Sequence, residues 1–191
     1  MHLLPDRGSD WQQLHGQLLR RRGRQLPLRH NGSVRLDLDA CRSRFAAARH
    51  AYLATADADG APHLVPVTFA LLSGACGATG DAPPDAGAGA PAGDEIVVAI
   101  DHKPKTTRDL KRLRNLAGNP RVAFLVDRYD DDWTHLWWVR ADGTATVEHE
   151  GEHRAAALDA LAARYPQYRE HRPDGPLIRV RVTRWSGWAH G

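Results

Sequence analysis

Two lysines one residue apart, Lys103 and Lys105, have the type and spacing that best fit a chemical task in this sequence. Two hydroxyl-bearing residues follow directly, Thr106 and Thr107, where a helix is predicted to begin. A helix start offers unpaired N–H groups and partial positive charge, so ammonium and hydroxyl donors placed there can hold a phosphate. A solvated basic turn has the same spacing, so the pattern alone leaves both interpretations open.

The helix after the lysines is predicted from its apolar spacing. Three leucines recur at every third position and form one apolar stripe: Leu110, Leu113 and Leu116. Thr106 and Asp109 have the spacing of a capping box, which places the helix start at Thr106. Gly118 and the following Asn-Pro pair end the helix. A buried strand is predicted next, over Arg121 to Tyr129.

Alternating and β-branched residues predict several further strands. Tyr52 to Thr55 and His63 to Leu72 flank a turn at residues 57–60, and Glu95 to Ile100 forms another strand. Pro66 lies inside the second strand and cannot donate to a ladder. It marks either a protected sheet edge, a bulge, or a place where a ligand replaces a neighbouring strand.

The second half of the chain predicts a hairpin, a helix and a closing strand. The hairpin comprises Leu136 to Arg140, a turn at Asp142-Gly143, and Thr144 to Val147. Its adjacent residues Trp137 and Trp138 must point to opposite faces, so one fills the core and the other lines a pocket or subunit contact, unless both simply pack. Helices are predicted from Asp37 and over Arg154 to Tyr165, and a strand over Leu177 to Thr183.

Composition limits the classes of protein. The chain has 191 residues, 42% of them hydrophobic, and no apolar run of membrane-spanning length, so one globular domain and no membrane partner are expected. Two cysteines, Cys41 and Cys76, make no disulfide framework, which favours a reducing, cytoplasmic setting.

The positive charge is concentrated at one end. Residues 1–35 contain seven arginines and two aspartates, so the remaining residues are close to neutral. We therefore expect a basic N-terminal extension over residues 1–34 and a domain over residues 35–191, and nucleic-acid binding by the domain is disfavoured. Residues 73–93 are rich in Gly, Ala and Pro and are predicted to form a flexible loop inside the domain.

Motifs for covalent catalysis or metal binding are not convincing in this sequence. HEGEH at residues 149–153 matches a zinc-protease pattern in letters, but the required helix is not predicted around both histidines, so no metal site is expected. There is no nucleophile elbow, Walker loop or C-x-x-C pair. An enzyme without such residues would depend on a cofactor for its chemistry.

The segments LATADADG, KPKTT, NPRV and DWTHLWWVRADG, in this order, resemble the pyridoxamine 5′-phosphate oxidase-like proteins. More narrowly, they resemble the actinobacterial branch of F420-dependent oxidoreductases. The resemblance covers residues 36–188 and implies an α+β, mainly β fold, a six-stranded split β-barrel (the FMN-binding split barrel) with flanking helices. It also implies a homodimer that binds a flavin or deazaflavin between its subunits.

The resemblance also implies which residues contact the cofactor. The phosphate would be held by the basic segment: Lys103, Lys105, Thr106 and Thr107. The ring would lie against the second strand, with a contribution from the first: Pro66, Val67, Thr68, Phe69, Ala54 and Thr55. Aromatic residues of the partner subunit would cover the cofactor: Trp138, Trp185 and Trp188.

The expected function is therefore hydride transfer between reduced coenzyme F420 and a small organic acceptor, with no catalytic acid or base of the protein's own. One alternative is an FMN-dependent oxidase or reductase of the same fold. Another is a protein that binds F420 or a flavin without turnover.

Overall fold

The computed structural model describes residues 33–73, 93–100, 110–151 and 153–191. The eight described strands form one antiparallel sheet: β1 Val34–Arg35, β2 Ala51–Ala56, β3 Pro62–Val67, β4 Ala70–Leu72, β5 Glu95–Ala99, β6 Arg121–Arg128, β7 Trp137–Glu148 and β8 Leu177–Ala189. The four described α-helices are α1 Leu38–Ala47, α2 Lys111–Gly118, α3 His153–Arg164 and α4 Pro166–Glu170. None of these described helices has the length and apolar character needed to cross a bilayer.

The sheet closes on itself because its two edges are joined by a very short link. The strand order is β3-β2-β6-β7-β8-β5-β4, with β1 added beside β8. The edge strands β3 and β4 are separated only by Thr68 and Phe69. Three Cα–Cα steps span at most about 11 Å, so the sheet must curl until its edges meet. Counting β3 and β4 as one interrupted strand gives the predicted mainly β, six-stranded barrel.

The barrel interior is filled by a single apolar core. Inward-facing residues of every barrel strand contribute, including Leu53, Phe124 and Ile96, which are fully buried. Helix α1 inserts Cys41 and Phe45 at one end of the barrel, while α2 packs Leu116 against the same core. The interior therefore has no space for a cofactor, and ligands must bind outside it.

A second apolar cluster lies outside the barrel wall. Helix α3 packs Ala157, Leu158 and Leu161 against the outer surface of β4, β5 and the start of β8, and Tyr168 of α4 completes the cluster. The sequence predicts these three inward positions of α3, and the prediction is confirmed. Helix α4 itself is not predicted from the sequence.

The corner at Thr68 and Phe69 is held by two tyrosines of the outer helices. The Tyr165 hydroxyl accepts from the Phe69 N–H at 3.0 Å and lies 2.9 Å from the Phe69 carbonyl oxygen. The Tyr168 hydroxyl lies 2.7 Å from the Thr68 Oγ1. The Arg164 guanidinium stacks on the Phe69 ring and binds the carbonyl oxygens of Ala46 and Ala48 at the end of α1.

The predicted hairpin turn at Asp142-Gly143 is wrong. Strand β7 continues through this pair with only a shift of register against β8. A Cβ atom on Gly143 would lie 2.5 Å from the Arg181 carbonyl oxygen, so the glycine permits close approach of two strands rather than a turn. The β6–β7 connection is instead the segment around a 3-10 helix at Trp133–His135.

Two other boundaries differ from the sequence predictions. Helix α2 begins at Lys111, and its N-cap residue Leu110 is extended, so the helix starts later than a capping box at Thr106 requires. The predicted strand His63 to Leu72 is interrupted at the corner, where it exchanges β2 for β5 as its partner. Val34, which the sequence analysis assigns to the basic extension, pairs with β8. Residues 1–32 of that extension and most of the loop at 73–93 lie outside the described residues.

The corner gives a stability prediction. Tyr165→Phe removes the hydroxyl that accepts a hydrogen bond from the buried Phe69 N–H, so the free energy of unfolding should fall by about 1–3 kcal/mol. Urea unfolding measures this change. Tyr129→Phe is the matched control, because Tyr129 is 82% exposed, and it should leave stability unchanged. Equal stability of the two variants would contradict the role given to Tyr165.

Candidate functional site

The start of α2 is positively charged, and it follows the lysine segment in the sequence. Its first two residues are Lys111 and Arg112, its first turn contains no acidic residue, and Leu110 provides no side-chain cap. The Lys111 Nζ lies 3.2 Å from Asp57 in the turn between β2 and β3. An uncapped helix start with this charge favours a negatively charged ligand.

His63 lies beside this helix start on β3. It is half-buried, and its Nδ1 atom is shielded from solvent and has no hydrogen-bond partner among the described residues. Burial, together with the positive charges of Lys111 and Arg112, lowers the pKa of His63 below its usual value. A neutral imidazole with an unused nitrogen is therefore present where the chain enters α2. Sequence reasoning did not identify it, because one histidine in a strand carries no distinctive signal.

Thr55 and Ala54 of β2 face opposite sides of the sheet. Thr55 points inward and is 3% exposed, and its Oγ1 accepts a hydrogen bond from the Asn115 Nδ2 at 3.0 Å. This bond fixes α2 to the barrel wall. Ala54 points outward on the same side as Leu64, its partner on β3. Of the two, Ala54 is the residue placed to contact a ligand on the outer surface.

The four predicted ring-contacting residues of the second strand have different environments. Pro66 is exposed on the outer surface of the edge strand β3, as a protected edge or a ligand surface requires. Val67 is 7% exposed, and the Phe69 ring is fully buried in the core with both backbone groups bound to Tyr165. The Thr68 hydroxyl is bound to Tyr168. The corner residues therefore have a structural role, and Pro66 offers the accessible surface.

The three predicted covering tryptophans divide into two groups. Trp138 and Trp188 are direct partners across β7 and β8, so both indoles rise from the outer surface. Trp185 faces the core, where its ring contacts Phe45 and its Nε1 donates to the Asp94 Oδ2 at 2.9 Å. Asp94 is 3% exposed and also binds the Arg42 Nε at 2.7 Å. Trp185 is thus committed to the core.

A cavity of about 280 Å³ lies beside the outward tryptophans, and we call it the tryptophan cavity. Its described lining residues are Tyr129, Leu136, Trp137, Trp138 and Trp188. The predicted opposite orientation of Trp137 and Trp138 is confirmed, since Trp137 packs against the barrel core and under the Arg44 guanidinium. Tyr129 and Leu136 were not predicted as site residues, because their closeness depends on how the β6–β7 connection folds.

The helix start and the tryptophan cavity lie at opposite ends of the barrel. Strand β6 begins just after α2 and ends opposite Trp137, with Arg121 paired to Thr144 and Arg128 paired to Trp137. Seven strand steps separate these ends by about 23 Å. The structure therefore does not bring Trp138 and Trp188 to the helix start within one subunit. The four predicted phosphate-binding residues, Lys103, Lys105, Thr106 and Thr107, lie outside the described residues and stay a prediction.

The zinc-protease pattern lacks its structural context. His149 follows β7 in an exposed loop, whereas His153 begins α3, so one helix does not carry both histidines. Within the described residues, no group of three or more potential metal-ligating side chains occurs.

Comparison with known proteins supports the barrel architecture. The family model described as pyridoxamine 5′-phosphate oxidase matches residues 38–189. An FAD-binding protein from Mesorhizobium loti is similar in structure, with a TM-score of 0.57, 19% identity, and coverage of 83% of this chain and 99% of that one. A conserved hypothetical protein from Mycobacterium tuberculosis gives a TM-score of 0.56 and 21% identity, covering 81% and 86% of the two chains.

The heme storage protein HutZ from Vibrio cholerae is also similar, with a TM-score of 0.50, 19% identity, and coverage of 77% of this chain and 91% of that one. At these identities, the shared feature is the split-barrel fold. None of the curated proteins compared with the chain matches it.

The environment of His63 gives a pH prediction. Because its pKa is lowered in the folded state, the unfolded chain binds the proton more readily, and stability falls as the pH drops below the unfolded pKa of about 6.5. His63→Gln should therefore lose less stability than the native protein between about pH 7 and pH 5. Urea unfolding at both pH values measures the difference. The exposed control His149→Gln should behave as the native protein, and an unchanged pH dependence in His63→Gln would refute this effect.

Proposed function

Because the chain belongs to the pyridoxamine 5′-phosphate oxidase family, we propose that it is an F420-dependent oxidoreductase that transfers a hydride between F420H2 and a small organic acceptor. The observation that carries this proposal is the positive start of α2 directly after the lysine segment. The resemblance of KPKTT and DWTHLWWVRADG to the F420-dependent branch supports the choice of deazaflavin. FMN remains the alternative cofactor.

The distribution of basic residue types supports a phosphate site at this place. The chain has 26 basic residues, but its only lysines are Lys103, Lys105 and Lys111, all at the approach to α2. A lysine ammonium is a compact charge on a flexible stem that suits a phosphate oxygen. The residues present therefore fit the phosphodiester of F420 or the phosphate of FMN. The neutral His63 beside Lys111 and Arg112 can gain a proton when an anion binds.

The outer surface of β3 offers a flat place for a ring. Pro66 is exposed at this edge. Because proline has no backbone N–H group, a ligand that covers Pro66 leaves no hydrogen-bond donor of this residue without a partner. Ala54 lies on the same surface and its small side chain allows close approach. When bound, reduced F420 supplies the hydride, and the protein's own residues provide position, charge compensation and exclusion of water.

We further propose that the protein is a homodimer formed through the outer surface of β3, β2 and β6. Six residues in two directly paired rows make this apolar outer face: Pro66, Tyr52 and Leu125 in one, and Leu64, Ala54 and Ala123 in the other. Leu64 is 62% exposed and Leu125 is 37% exposed. Exposed aliphatic residues in a contiguous patch are typical of an interface.

Two other described outer surfaces of the barrel are less suited to a dimer contact. Helices α3 and α4 already cover β4 and β5. Next to them, Arg179 binds Glu95 at 3.0 Å and Glu148 at 3.1 Å, which leaves a charged surface on β5, β7 and β8. A dimer would also explain how Trp138 and Trp188, at one end of the barrel, could cover a cofactor bound at the other end, because the partner subunit would supply them.

Colour and cofactor titration separate the alternatives. A protein that is yellow as purified favours FMN, whereas a colourless protein that binds added F420 favours the deazaflavin. A heme absorption band in the purified protein would favour heme storage, as in the name of the Vibrio cholerae protein. Tight F420 binding without reduction of any acceptor in a broad panel would indicate a binding protein without turnover.

The lysine segment gives the main test of this function. Lys103→Ala with Lys105→Ala should weaken F420 binding by roughly 100-fold, because two charge-assisted contacts to phosphate are lost. Titration of the purified protein with F420, F420H2 and FMN measures the affinity.

The matched control for the lysine test is Arg169→Ala with Arg181→Ala, which removes the same charge from exposed positions on α4 and β8. This control should bind F420 as the native protein does. Native affinity of the lysine variant for both F420 and FMN would refute the phosphate assignment.

The apolar outer face gives a second prediction. Leu64→Asp should raise the dimer dissociation constant by at least about tenfold, because the dimer would bury an unpaired carboxylate. Sedimentation velocity over a range of protein concentrations measures the dissociation constant. Val34→Asp is the control, since Val34 is 52% exposed on β1, away from this face. Equal dissociation constants for the two variants would exclude this interface.

A further inference from the structure

The tryptophan cavity is built by strand register rather than by chance exposure of aromatic residues. Trp138 pairs with Trp188 across β7 and β8, so the two indoles stand side by side on the outer surface. Trp137 is fixed on the other side of β7 by the core and by Arg44, and the residue also borders the cavity. Three aromatic positions are therefore set by the sheet itself, which makes the cavity a preformed one.

The two remaining walls come from the β6–β7 connection. Leu136 is held there by a hydrogen bond from its N–H to the Trp133 carbonyl oxygen at 3.1 Å, and the His190 N–H donates to the Leu136 carbonyl oxygen at 2.9 Å. Tyr129 follows β6 and is 82% exposed, so its ring forms an open side wall. An aromatic ring left this exposed gains apolar burial when a ligand enters beside it.

Charge is confined to the rim of the cavity. Register places Asp127 next to Trp138 and Arg35 next to Trp188, so a carboxylate and a guanidinium flank the two indoles. Among the described lining residues themselves, none carries a charge. A charged group inside the cavity would lose its hydration without a partner, whereas an uncharged ring would gain contact with indole faces.

The size of the cavity sets the size of its occupant. Ligand pockets for drug-sized molecules start at about 300 Å³, and a cavity of about 150 Å³ is enough for benzene. A volume of about 280 Å³ therefore suits one or two fused rings.

We propose that the tryptophan cavity binds an uncharged planar molecule with one or two aromatic rings, and that this is the chemical class of the hydride acceptor. That this molecule is the hydride acceptor rests on the proposed function, because the dimer would bring this cavity to the partner's cofactor. That the cavity binds an uncharged planar molecule depends only on the described residues and holds for the protein without cofactor.

The binding test uses the indole N–H signals in a nitrogen–proton correlation spectrum of the cofactor-free protein. The chain has six tryptophans, and single Trp→Phe variants assign their signals. Added 2-naphthol should shift the signals of Trp138 and Trp188. Trp185, bound to Asp94, and Trp133, which is 71% exposed and outside the lining, should not shift. Naphthalene-2-sulfonate, with the same rings and a fixed charge, should bind at least about tenfold more weakly.

A matched pair of variants tests the site itself. Tyr129→Ala removes one wall of the cavity and should weaken 2-naphthol binding by about fivefold. This factor corresponds to the binding free energy that one aromatic contact usually contributes. Trp133→Ala removes a similarly exposed aromatic residue outside the lining and should leave binding unchanged. Failure of 2-naphthol to shift Trp138 and Trp188, or equal binding of the sulfonate, would overturn the proposal.

The same experiment separates this proposal from the cofactor assignment. The variant with Lys103→Ala and Lys105→Ala should lose F420 affinity but keep the 2-naphthol shifts. If 2-naphthol binds but F420 does not bind to the native protein, the cavity stands and the proposed function fails. If F420 binds but 2-naphthol leaves every indole signal unchanged, the proposed function stands and the cavity assignment fails.

Discussion

The fold depends on one short connection, the two residues that join the opposite edges of the sheet. Thr68 and Phe69 can bridge those edges only if the sheet is curled into a barrel, and their backbone conformation is then fixed by the hydroxyls of Tyr165 and Tyr168. Arg164 extends the same contact to the carbonyl oxygens that end α1. The outer helices, the strand corner and the helix at the barrel end thus form one connected group.

Closing and filling the barrel determines where function can be located. Since the interior is packed, every ligand and every partner must use the outer surface or the barrel ends. Helices α3 and α4 occupy one part of that surface, and the ion pairs of Arg179 make another part polar. Among the described surfaces, the apolar face of β3, β2 and β6 stays uncovered, with the start of α2 at one end of the barrel and the tryptophan cavity at the other. A surface that is apolar in its middle and differs in chemistry at its two ends suits a dimer with a site at each end of the contact.

Local patterns in the sequence predicted most elements of this fold but few of its contacts. The leucine spacing correctly indicated α2, the Gly-Asn-Pro sequence correctly ended it, and alternation indicated β8. The Asp142-Gly143 pair was misinterpreted, because a glycine required by close approach of two strands has the same letters as a glycine in a turn. The dual role of the second strand was also missed, since the change of partner at Thr68 and Phe69 depends on closure of the whole sheet. For the site, the sequence named three tryptophans alike, and whether they serve a cofactor stays a prediction. Two of them face outward, whereas the core position of Trp185 depends on Asp94, a residue far away in sequence.

The distance between the two ends of β6 argues for a site that one chain cannot complete. A strand of eight residues separates the helix start from the tryptophans, and no side chain spans that distance. Lengthening or shortening β6 would change the distance, but its pairing with β7 on one side and β2 on the other fixes it. In the proposed dimer, a two-fold axis that lies in the contact plane and is perpendicular to the strands would reverse the strand direction of the second subunit and place its tryptophan end near the first subunit's helix start. In the proposed dimer, the apolar face would hold the two subunits together and would also set the position of the partner's aromatic residues relative to the proposed phosphate-binding segment.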